Sequence, residues 1–410
     1  MRLLILGGGN NQLNGIKRAV QKGHEVVLTD YYPDAPGRAY AKYNEVVSTF
    51  DVEGNIEVAK KYSVDGVMTL GTDQPVYTVS RVASALNLPQ FLDIDTAEAV
   101  TNKKIMKGIF TKHNLPTVKY RFLNQDCTEK DWEGMKFPVV LKPLDSQGQR
   151  GVYKLHSSQE IKDNIQSTLS FSRQREALLE EFYESDEITI SAWVEKGIPH
   201  ILTITDRETF QRAKHIGICF AHAFPSKHME EYPTMKNLVD NITKAFGIKE
   251  GPLYVQLLVG AEGILINEIA CRIGGAYEDL FIPYLTGVDI LDRVIDFSLK
   301  GKMPSPIEPY CILENNKYLS TQLFFARAGR VKQITPVKEL KKLPGLLYAG
   351  YNIVEGKELP VIENATARAG FMIIEGANKE ELSRNINHAF THLQILNEKN
   401  ENLTLQYKIY

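Results

Sequence analysis

FPVVLKPLDSQGQRGV, residues 137–152, carries the first indication of the fold. Its apolar start, residues 137–141, predicts a buried strand that places Lys142 at its end. Residues 145–151 then predict a polar, glycine-containing loop, and residues 152–155 predict a returning strand. Such loops let backbone N–H groups approach phosphate oxygens, and a neighbouring lysine neutralises charge. The loop lacks the G-x-x-x-x-G-K-[ST] pattern and is not a Walker A loop, and by itself it also fits a plain β-hairpin.

A second stretch, residues 251–275, reads GPLYVQLLVGAEGILINEIACRIGG and predicts a β-hairpin. Because side chains alternate along a strand, Gln256 on the first strand and Glu268 on the second face one side. Two oxygen-bearing side chains on adjacent strands suit Mg²⁺, which takes few protein ligands besides phosphate oxygens. Arg272 follows, with a planar fork suited to a carboxylate or a phosphate. Since a glutamate in an apolar strand must be paired or bound to metal, the alternative is a simple ion pair between Glu268 and Arg272.

These two stretches, in this order, resemble the ATP-grasp superfamily, and the resemblance covers nearly the whole chain. It implies an α/β ATP-grasp fold with an N-terminal Rossmann-like preATP-grasp domain and a small C-terminal α+β lobe. The implied boundaries are residues 1–95 for the first domain, 96–305 for the ATP-grasp domain with its lid at about 117–185, and 306–410 for the C-terminal lobe.

The resemblance also implies which residues hold the nucleotide and the metal. The nucleotide-binding residues would be Lys103, Lys142, Gln147, Gly148, Gly151, Glu180, Glu181, Phe182, Glu187 and His215. Residues 178–187, LLEEFYESDE, match the hinge strand beside the adenine, and Glu187 matches the acid at the ribose. Gln256 and Glu268 match the metal ligands, and Lys142 and Arg272 match the catalytic residues. Glutamine departs from the commoner glutamate at its position, and Ala270 replaces a third ligand, so the implied metal shell is sparse.

Residues 96–114 predict a pair of short helices that carry several lysines. Lys103 is the one that the resemblance assigns to the nucleotide. Lys104, Lys107 and Lys112 are expected to lie on a solvated face.

The N-terminal residues predict alternating strands and helices, and therefore a parallel, Rossmann-like sheet. Gly7 and Gly9 fit the dinucleotide fingerprint G-x-G-x-x-G, but Gln12 stands at its third position, where close helix packing needs glycine. In a dehydrogenase Asp30 would contact the adenosine ribose. An NAD-dependent dehydrogenase is therefore the least favoured alternative. Asp73 follows a predicted strand and is a candidate either for the substrate side or for a helix cap.

Composition excludes several classes of protein. The chain has 410 residues, of which 43% are hydrophobic and 24% charged, enough for two or three domains. A net charge of −2 does not indicate a partner such as nucleic acid or an anionic membrane. The first apolar run is too short for a signal peptide or a membrane span, and four scattered cysteines without C-x-x-C indicate neither zinc nor a disulfide framework. A cytoplasmic location is expected.

The resemblance implies an ATP-dependent carboxylate–amine or carboxylate–thiol ligase that uses Mg²⁺ or Mn²⁺, forms an acyl phosphate and releases ADP and phosphate. Its partners would be small-molecule carboxylates and amines, and a homodimer is an assembly that the family allows. Two substrate classes stay open: a purine-biosynthetic substrate, as in phosphoribosylglycinamide synthetases, and amino acids, as in L-amino acid ligases. Gln256 and Ala270 also leave open a non-catalytic nucleotide-binding protein. Arg368 is a candidate for the acceptor side and is equally explained as a surface arginine.

Overall fold

The N-terminal region alternates strands and helices, as its sequence predicts. In the computed structural model the backbone is described for residues 1–146, 148–212, 215–303 and 305–406, and side chains for the same residues except 211, 212, 215 and 216. The first elements are β1 (Arg2–Leu6), α1 (Leu13–Gln21), β2 (Glu25–Thr29), β3 (Tyr43–Glu45), α2 (Val52–Tyr62), β4 (Gly66–Met68) and α3 (Pro75–Leu86). The strands are parallel in the order β3-β2-β1-β4. β1 is a continuous apolar run because it is buried on both faces of the sheet.

The loop after β1 is closed by its own side chains. Gln12 is buried, and its Nε2 donates to the Leu70 carbonyl at 2.6 Å. The Asp30 carboxylate accepts from the backbone N–H of Gly8 at 2.7 Å and from that of Tyr32 at 2.8 Å. In a dinucleotide-binding protein, amides of this loop would face a pyrophosphate. The loop is therefore built to hold itself together, which weighs against the dehydrogenase alternative.

Two short helices, α4 (Ile94–Thr101) and α5 (Lys103–Lys112), lead to the lid, so the predicted pair of helices is confirmed. Each helix has its own N-cap, since Asp93 accepts from Thr96 N at 2.7 Å and Asn102 accepts from Lys104 N at 2.9 Å. The Asn102 cap separates the two helices and sets the direction in which α5 leaves.

The lid is a small antiparallel sheet with one helix. It contains β5 (Tyr120–Leu123), β6 (Val139–Pro143), β7 (Tyr153–Leu155), α6 (Ser158–Ser170) and β8 (Ala177–Glu181), with strand order β5-β8-β6-β7. Leu141 and Leu179 lie in a core that belongs to the lid alone. The prediction of one hinge strand over residues 178–187 is wrong. β8 ends at Glu181, three residues cross to the large sheet, and the next strand begins at Ser185.

The rest of the chain is built on one large antiparallel sheet. Its first part comprises β9 (Ser185–Glu195), β10 (Ile198–Arg212), β11 (His215–Phe224), α7 (Tyr232–Ala245), β12 (Gly251–Gly260), β13 (Gly263–Ala270), α8 (Glu278–Thr286) and α9 (Ile290–Lys300). The C-terminal part comprises β14 (Tyr318–Ala326), β15 (Gly329–Arg330), β16 (Gln333–Ile334), α10 (Val337–Leu340), β17 (Leu346–Tyr351), β18 (Glu358–Leu359), β19 (Gly370–Gly376), α11 (Lys379–His392), β20 (Ile395–Leu396) and β21 (Thr404–Leu405). Of these strands, β15 pairs with β18 and β16 pairs with β20 in two separate two-stranded sheets.

The strand order of the large sheet is β13-β12-β9-β10-β11-β14-β19-β17, with β21 paired to β14 outside this path. β11 pairs with β14, so the sheet continues across the predicted boundary between residues 305 and 306. The C-terminal lobe is thus joined to the preceding domain by strand pairing, and it adds a hydrophobic core of its own. Within the described part of the chain, no helix is long and apolar enough to cross a membrane.

Polar contacts hold α1 of the N-terminal region against α8 and α9. Arg18 pairs with Asp289 at 2.6 Å and with Asp292 at 2.8 Å, and Asn14 Nδ2 donates to Asp279 at 2.8 Å. Burial raises the pKa of Asp279 to about 7, an effect opposed by the Asn14 hydrogen bond and reinforced by the neighbouring Glu278. Folding therefore keeps a proton on Asp279 at pH values where the unfolded chain has lost it.

Asp279→Asn is expected to stabilise the protein at pH 8 by about 1–3 kcal/mol. Because the pKa of Asp279 is higher in the folded state, its contribution to the free energy of unfolding falls as pH rises from roughly 4 to 7. The variant should lose this part of the pH dependence in urea unfolding followed between pH 5 and 8.

Asp292→Asn is the matched contrast. Burial alone would raise the pKa of Asp292, but hydrogen bonds from Arg18 and Lys22 outweigh it and lower that pKa. The free energy of unfolding of this variant should therefore be lower than that of the wild type at pH 7, and the difference should be smaller at acid pH. An Asp279→Asn protein with the slope of the wild type would contradict the assignment.

Candidate active site

A cleft of about 360 Å³ opens between the lid and the large sheet. Among the residues that line it are nine of those predicted from the sequence: Lys103, Lys142, Gly148, Glu180, Glu181, Phe182, Glu187, Gln256 and Glu268. Gly151 lies beside the cleft with φ +71°, and a Cβ there would lie 2.6 Å from the Phe171 ring, so glycine is required. Gln147 is outside the described residues. His215 begins β11, but its side chain is also outside them.

Glu180 anchors two lysines at the floor of the cleft. Its carboxylate pairs with Lys107 at 2.6 Å through one oxygen and with Lys142 through the other. Burial alone would raise the pKa of Glu180, but Lys107 and Lys142 outweigh it and lower the pKa to about 2. The carboxylate is therefore ionised, and it holds Lys142 on β6 in a defined position. Glu180 was predicted beside the adenine, and its carboxylate is instead committed to these lysines.

Lys107 corrects one prediction directly. It was expected on a solvated face of α5, yet only 1% of it is exposed. Its Nζ also donates to Thr117 Oγ1 at 2.6 Å and to the Asn267 carbonyl at 3.3 Å. A buried ammonium is tolerated only when it is paired and hydrogen-bonded, and these contacts meet that requirement. Removing one partner of such a pair leaves an uncompensated charge, at a cost of about 3–5 kcal/mol.

The hinge between β8 and β9 forms one wall of the cleft. The backbone N–H of Glu181 donates to Lys119 at 2.9 Å, and that of Phe182 donates to Pro138 at 2.9 Å. These two amides serve the lid itself. Lys154 lies 3.4 Å from the centre of the Phe182 ring, a cation–π contact that holds the ring at the cleft wall.

Glu187, predicted at the ribose, is held from behind by Arg207 of β10. The two side chains form an ion pair, and Thr209 Oγ1 donates to Glu187 at 3.4 Å. Arg207 also donates to the Gly217 carbonyl at 2.9 Å, which ties β10 to β11 at this point. One edge of the carboxylate is thus engaged, while Glu187 still lines the cleft.

Gln256 and Glu268 are paired in register across β12 and β13, so both side chains are on the same face, as the sequence predicts. The alternative ion pair between Glu268 and Arg272 is not formed. Lys103 lies 3.6 Å from Glu268 instead. Burial alone would raise the pKa of Glu268, but Lys103 and Lys142 outweigh it and lower that pKa. Among the described residues there is no group of three His, Cys, Asp or Glu side chains that could hold a metal ion.

Asn267 is a site residue that sequence reasoning missed. The register between β12 and β13 shifts just after Gln256, and Asn267 is the extra residue of this bulge. Its Nδ2 donates to Gln256 Oε1 at 3.4 Å, and its Oδ1 accepts from Lys142 Nζ at 3.3 Å. Strict alternation predicts that Asn267 faces away from Glu268, so only the bulge brings its amide into the cleft. In the sequence, the only indication of a role for Asn267 was that it is a polar residue directly before the predicted metal ligand Glu268.

Arg272 lies just beyond the metal-ligand pair and reaches the N-terminal region. Its Nε donates to Asp73 Oδ1 at 2.7 Å, and its guanidinium lies 4.5 Å from the centre of the Tyr254 ring. The N-cap of α3 is Gln74 rather than Asp73. Asp73 lines the cleft, so it stays a candidate for the substrate side. The catalytic candidate Arg272 is therefore oriented by a carboxylate from another part of the chain.

Most of the residues that build this site lie in a stretch that matches a known family model. Residues 135–278 match the model described as ATP-grasp domain, and residues 322–398 match L-amino acid ligase C-terminal domain 2. The chain contains an ATP-grasp domain. The prediction of an ATP-grasp ligase from the sequence is confirmed at the level of the family, and the α/β fold prediction is confirmed with it.

Three similar proteins illustrate how far this likeness extends. A formate-dependent phosphoribosylglycinamide formyltransferase from Sulfurisphaera tokodaii is 24% identical over 86% of this chain and 93% of its own. The structure of an L-amino acid ligase from Bacillus licheniformis has a TM-score of 0.81 at 20% identity and covers 97% of this chain and 98% of its own. The structure of a phosphoribosylglycinamide synthetase from Anaerococcus prevotii has a TM-score of 0.73 at 19% identity and covers 97% of this chain and 99% of its own. Two of the similar solved structures, an N5-carboxyaminoimidazole ribonucleotide synthetase and a biotin carboxylase domain, are complexes with ADP and with MgADP respectively.

Lys142→Ala is expected to weaken ATP binding at least tenfold, a loss of about 1.4 kcal/mol. Lys142 is the cleft lysine held between Glu180 and Asn267, and it would neutralise phosphate charge. Glu180 keeps Lys107 as a partner, so the variant should still fold. Calorimetry with ATP tests this, with Lys104→Ala as the control, because Lys104 pairs with Glu176 away from the cleft. Unchanged ATP affinity in Lys142→Ala would show that the lysine does not bind the nucleotide.

Proposed function

We propose that this protein is an ATP-dependent ligase that activates a carboxylate as an acyl phosphate and joins it to an amine, with release of ADP and phosphate. The observation that carries the proposal is the position of Glu268. It is paired in register with Gln256 and lies in a cleft that Lys103 and Lys142 also line. That arrangement suits a nucleotide whose terminal phosphate meets a metal and several cations.

The residues present fit a divalent metal, Mg²⁺ or Mn²⁺, held with few protein ligands. Glu268 supplies one ionised carboxylate, and the amides of Gln256 and Asn267 supply neutral oxygens within the same hairpin. Oxygen ligands of this kind, completed by water and phosphate oxygens, are what Mg²⁺ accepts. When bound, the ion would neutralise charge that develops on the transferred phosphoryl group.

The protein side chains would act mainly by position and charge. A substrate carboxylate is already a nucleophile, so the obstacle is repulsion between anions. Lys103 and Lys142 would lower that repulsion at the phosphates, and Arg272, oriented by Asp73, would hold the acyl phosphate in line. The oxygen of the carboxylate bonds to the terminal phosphorus as ADP leaves, and the amine then bonds to the acyl carbon as phosphate leaves. Closure of the lid would keep water from the intermediate.

Nucleotide products and trapping test this proposal. The protein is incubated with Mg-ATP and single carboxylates (glycine, other amino acids, bicarbonate), and the nucleotides are separated by chromatography. ADP should form in a substrate-dependent way, and hydroxylamine should capture the acyl group as a hydroxamate when no amine is present. AMP as the substrate-dependent product would overturn the acyl-phosphate mechanism. Inertness across a wide panel would support a non-catalytic nucleotide-binding protein.

Amino acids are the substrate class that the comparisons favour over purine precursors. Residues 322–398 match a C-terminal domain named for L-amino acid ligases, and the L-amino acid ligase structure has the higher TM-score of the two described above. We also propose that the substrates are small molecules and that the three domains have the boundaries given above. The protein would form a homodimer and work in the cytoplasm. Four free cysteines agree with a reducing environment.

A further inference from the structure

Three parts of the chain meet beyond Arg272, at a junction that no predicted nucleotide or metal ligand occupies. The segment after β13 bonds the N-terminal region, where Gly71 N donates to the Ile273 carbonyl at 3.1 Å. It also bonds the C-terminal lobe, where Arg368 donates to the Gly275 carbonyl at 3.0 Å. Glu278, the first residue of α8, lies in this junction with 1% of its surface exposed.

Two polar atoms in the junction are buried and without a hydrogen-bond partner among the described residues. One is Oε1 of Glu278 and the other is Nε of Arg368. The second oxygen of Glu278 accepts from the backbone N–H of Ala276 at 2.7 Å. A Cβ at position 274 would overlap the Glu278 carboxyl group, so Gly274 provides the space that this carboxylate occupies. Buried polar groups without partners are rare in native proteins, and a ligand is one explanation.

Each neighbouring arginine already has a carboxylate partner. Arg272 pairs with Asp73, and Arg207 pairs with Glu187. Within the described part of the chain, neither Glu278 nor Arg368 forms an ion pair. Burial raises the pKa of Glu278, and the positive charges of Arg272 and Arg368 oppose that rise. The junction therefore offers a carboxyl group and a guanidinium that no ion pair engages.

That pair of groups complements a zwitterion. An ammonium group bound at Glu278 and a carboxylate bound at Arg368 would each gain a charge-assisted hydrogen bond. A phosphorylated sugar would bring a dianion to a place with one guanidinium outside any ion pair and a carboxyl group nearby, which is unfavourable. The charges thus separate the two substrate classes that the sequence leaves open.

The junction adjoins the hairpin that carries the metal-ligand pair. On β12, Tyr254 is two residues from Gln256 and shares its face, and the Arg272 guanidinium lies against the Tyr254 ring. Glu278 is near enough to both Tyr254 and Arg272 to influence their pKa values, after burial as the main cause. A molecule held at Glu278 would therefore lie next to the metal-ligand pair rather than at the hinge.

We propose that Glu278 and Arg368 form the binding site for the amino acid that serves as the amine substrate, with Glu278 at its ammonium group and Arg368 at its carboxylate. The inference rests on the proposed ligase function and specifies its acceptor. It requires an α-amino acid with both charged groups free.

Binding to the full-length protein tests the proposal without turnover. Each of the common L-amino acids, and ribose 5-phosphate, is titrated by calorimetry with and without Mg²⁺ and a non-hydrolysable ATP analogue. At least one amino acid should bind. Its N-acetyl derivative, which lacks the ammonium, and its methyl ester, which lacks the carboxylate, should each bind about tenfold or more weakly. Ribose 5-phosphate binding without binding of any amino acid, or no amino-acid binding in either state, would overturn the proposal.

Two variants assign the charges to the two residues. Glu278→Gln should reduce the preference for the amino acid over its N-acetyl derivative, and Arg368→Leu should reduce the preference over its methyl ester. Glu380→Gln and Arg384→Leu, both exposed on α11, are the matched controls and should keep both preferences. If the folded variants keep both preferences in full, the assignment of the two charges to Glu278 and Arg368 is wrong. The assignment is also wrong if the wild-type protein binds the methyl ester as tightly as the amino acid itself.

The outcomes separate this inference from the proposed function. Amino-acid-dependent ADP release with unaltered preferences in both variants would leave the ligase intact and remove the acceptor site. Amino-acid binding that follows the variants as described, without any ADP release, would retain the site and remove the ligase.

Discussion

Replacing Glu268 by glutamine is expected to lower turnover by roughly a hundredfold to a thousandfold while changing ATP affinity by no more than about threefold. Glu268 is the one carboxylate of the Gln256–Asn267–Glu268 group, and its charge would fix the metal where phosphoryl charge develops. The hinge and the lysines proposed to bind the nucleotide are left in place by the substitution. Turnover would be measured as ADP release and affinity by calorimetry, both at saturating Mg²⁺.

Gln256→Glu is the matched control for this prediction. It adds a carboxylate opposite Glu268 and restores the ligand more common in the family, so activity should be retained. Near wild-type turnover in Glu268→Gln at saturating Mg²⁺ would remove Glu268 from the metal site.

Arg272→Lys is expected to lower acyl-phosphate trapping by roughly a hundredfold, with a smaller effect on ATP binding. Asp73 orients the guanidinium, and the Tyr254 ring supports one of its faces. Lysine keeps the positive charge but lacks the planar fork, so it cannot hold two oxygens of the acyl phosphate in line. Hydroxamate yield with the correct carboxylate, in the absence of the amine, is the measurement.

Two further variants separate loss of geometry from loss of structure. Asp73→Asn should lower trapping less than Arg272→Lys, because it loosens the arginine without removing it. Arg384→Lys, on the exposed face of α11, should have no effect. Full hydroxamate yield in Arg272→Lys would exclude a role for the bidentate contact.

The hairpin of β12 and β13 shows how much of the site local sequence determines. Alternation of apolar and polar residues places Gln256 and Glu268 on one face, and the structure pairs them in register. The same reasoning misses Asn267, because a bulge breaks the alternation by one residue. Whether a strand contains a bulge depends on the partner strands, and β12 is paired on both sides, with β13 and β9.

The lysines of α5 show the opposite case. Their spacing on a short, polar helix is typical of a solvated face, and Lys104 is indeed an exposed residue paired with Glu176. Lys107 is buried, because Glu180 and Asn267 approach it from strands far along the chain. No pattern within the helix distinguishes the two lysines.

The ATP-grasp fold was predictable from the resemblance of two stretches of sequence to that superfamily. Strand periodicity predicted the strand that presents Lys142 and the hairpin that presents Gln256 and Glu268. These features depend on strand periodicity and short motifs, which are local properties of the chain. Only the tertiary structure shows which charged side chains form ion pairs with one another. It paired Glu180 with two lysines, Arg272 with Asp73 and Glu187 with Arg207, and among the described residues it gave Glu278 and Arg368 no ion-pair partner. The reason is that a buried charge is stable only next to an opposite charge or a hydrogen-bonding group. Which group lies next to it depends on the packing of distant parts of the chain, and this cannot be inferred from spacing along the sequence.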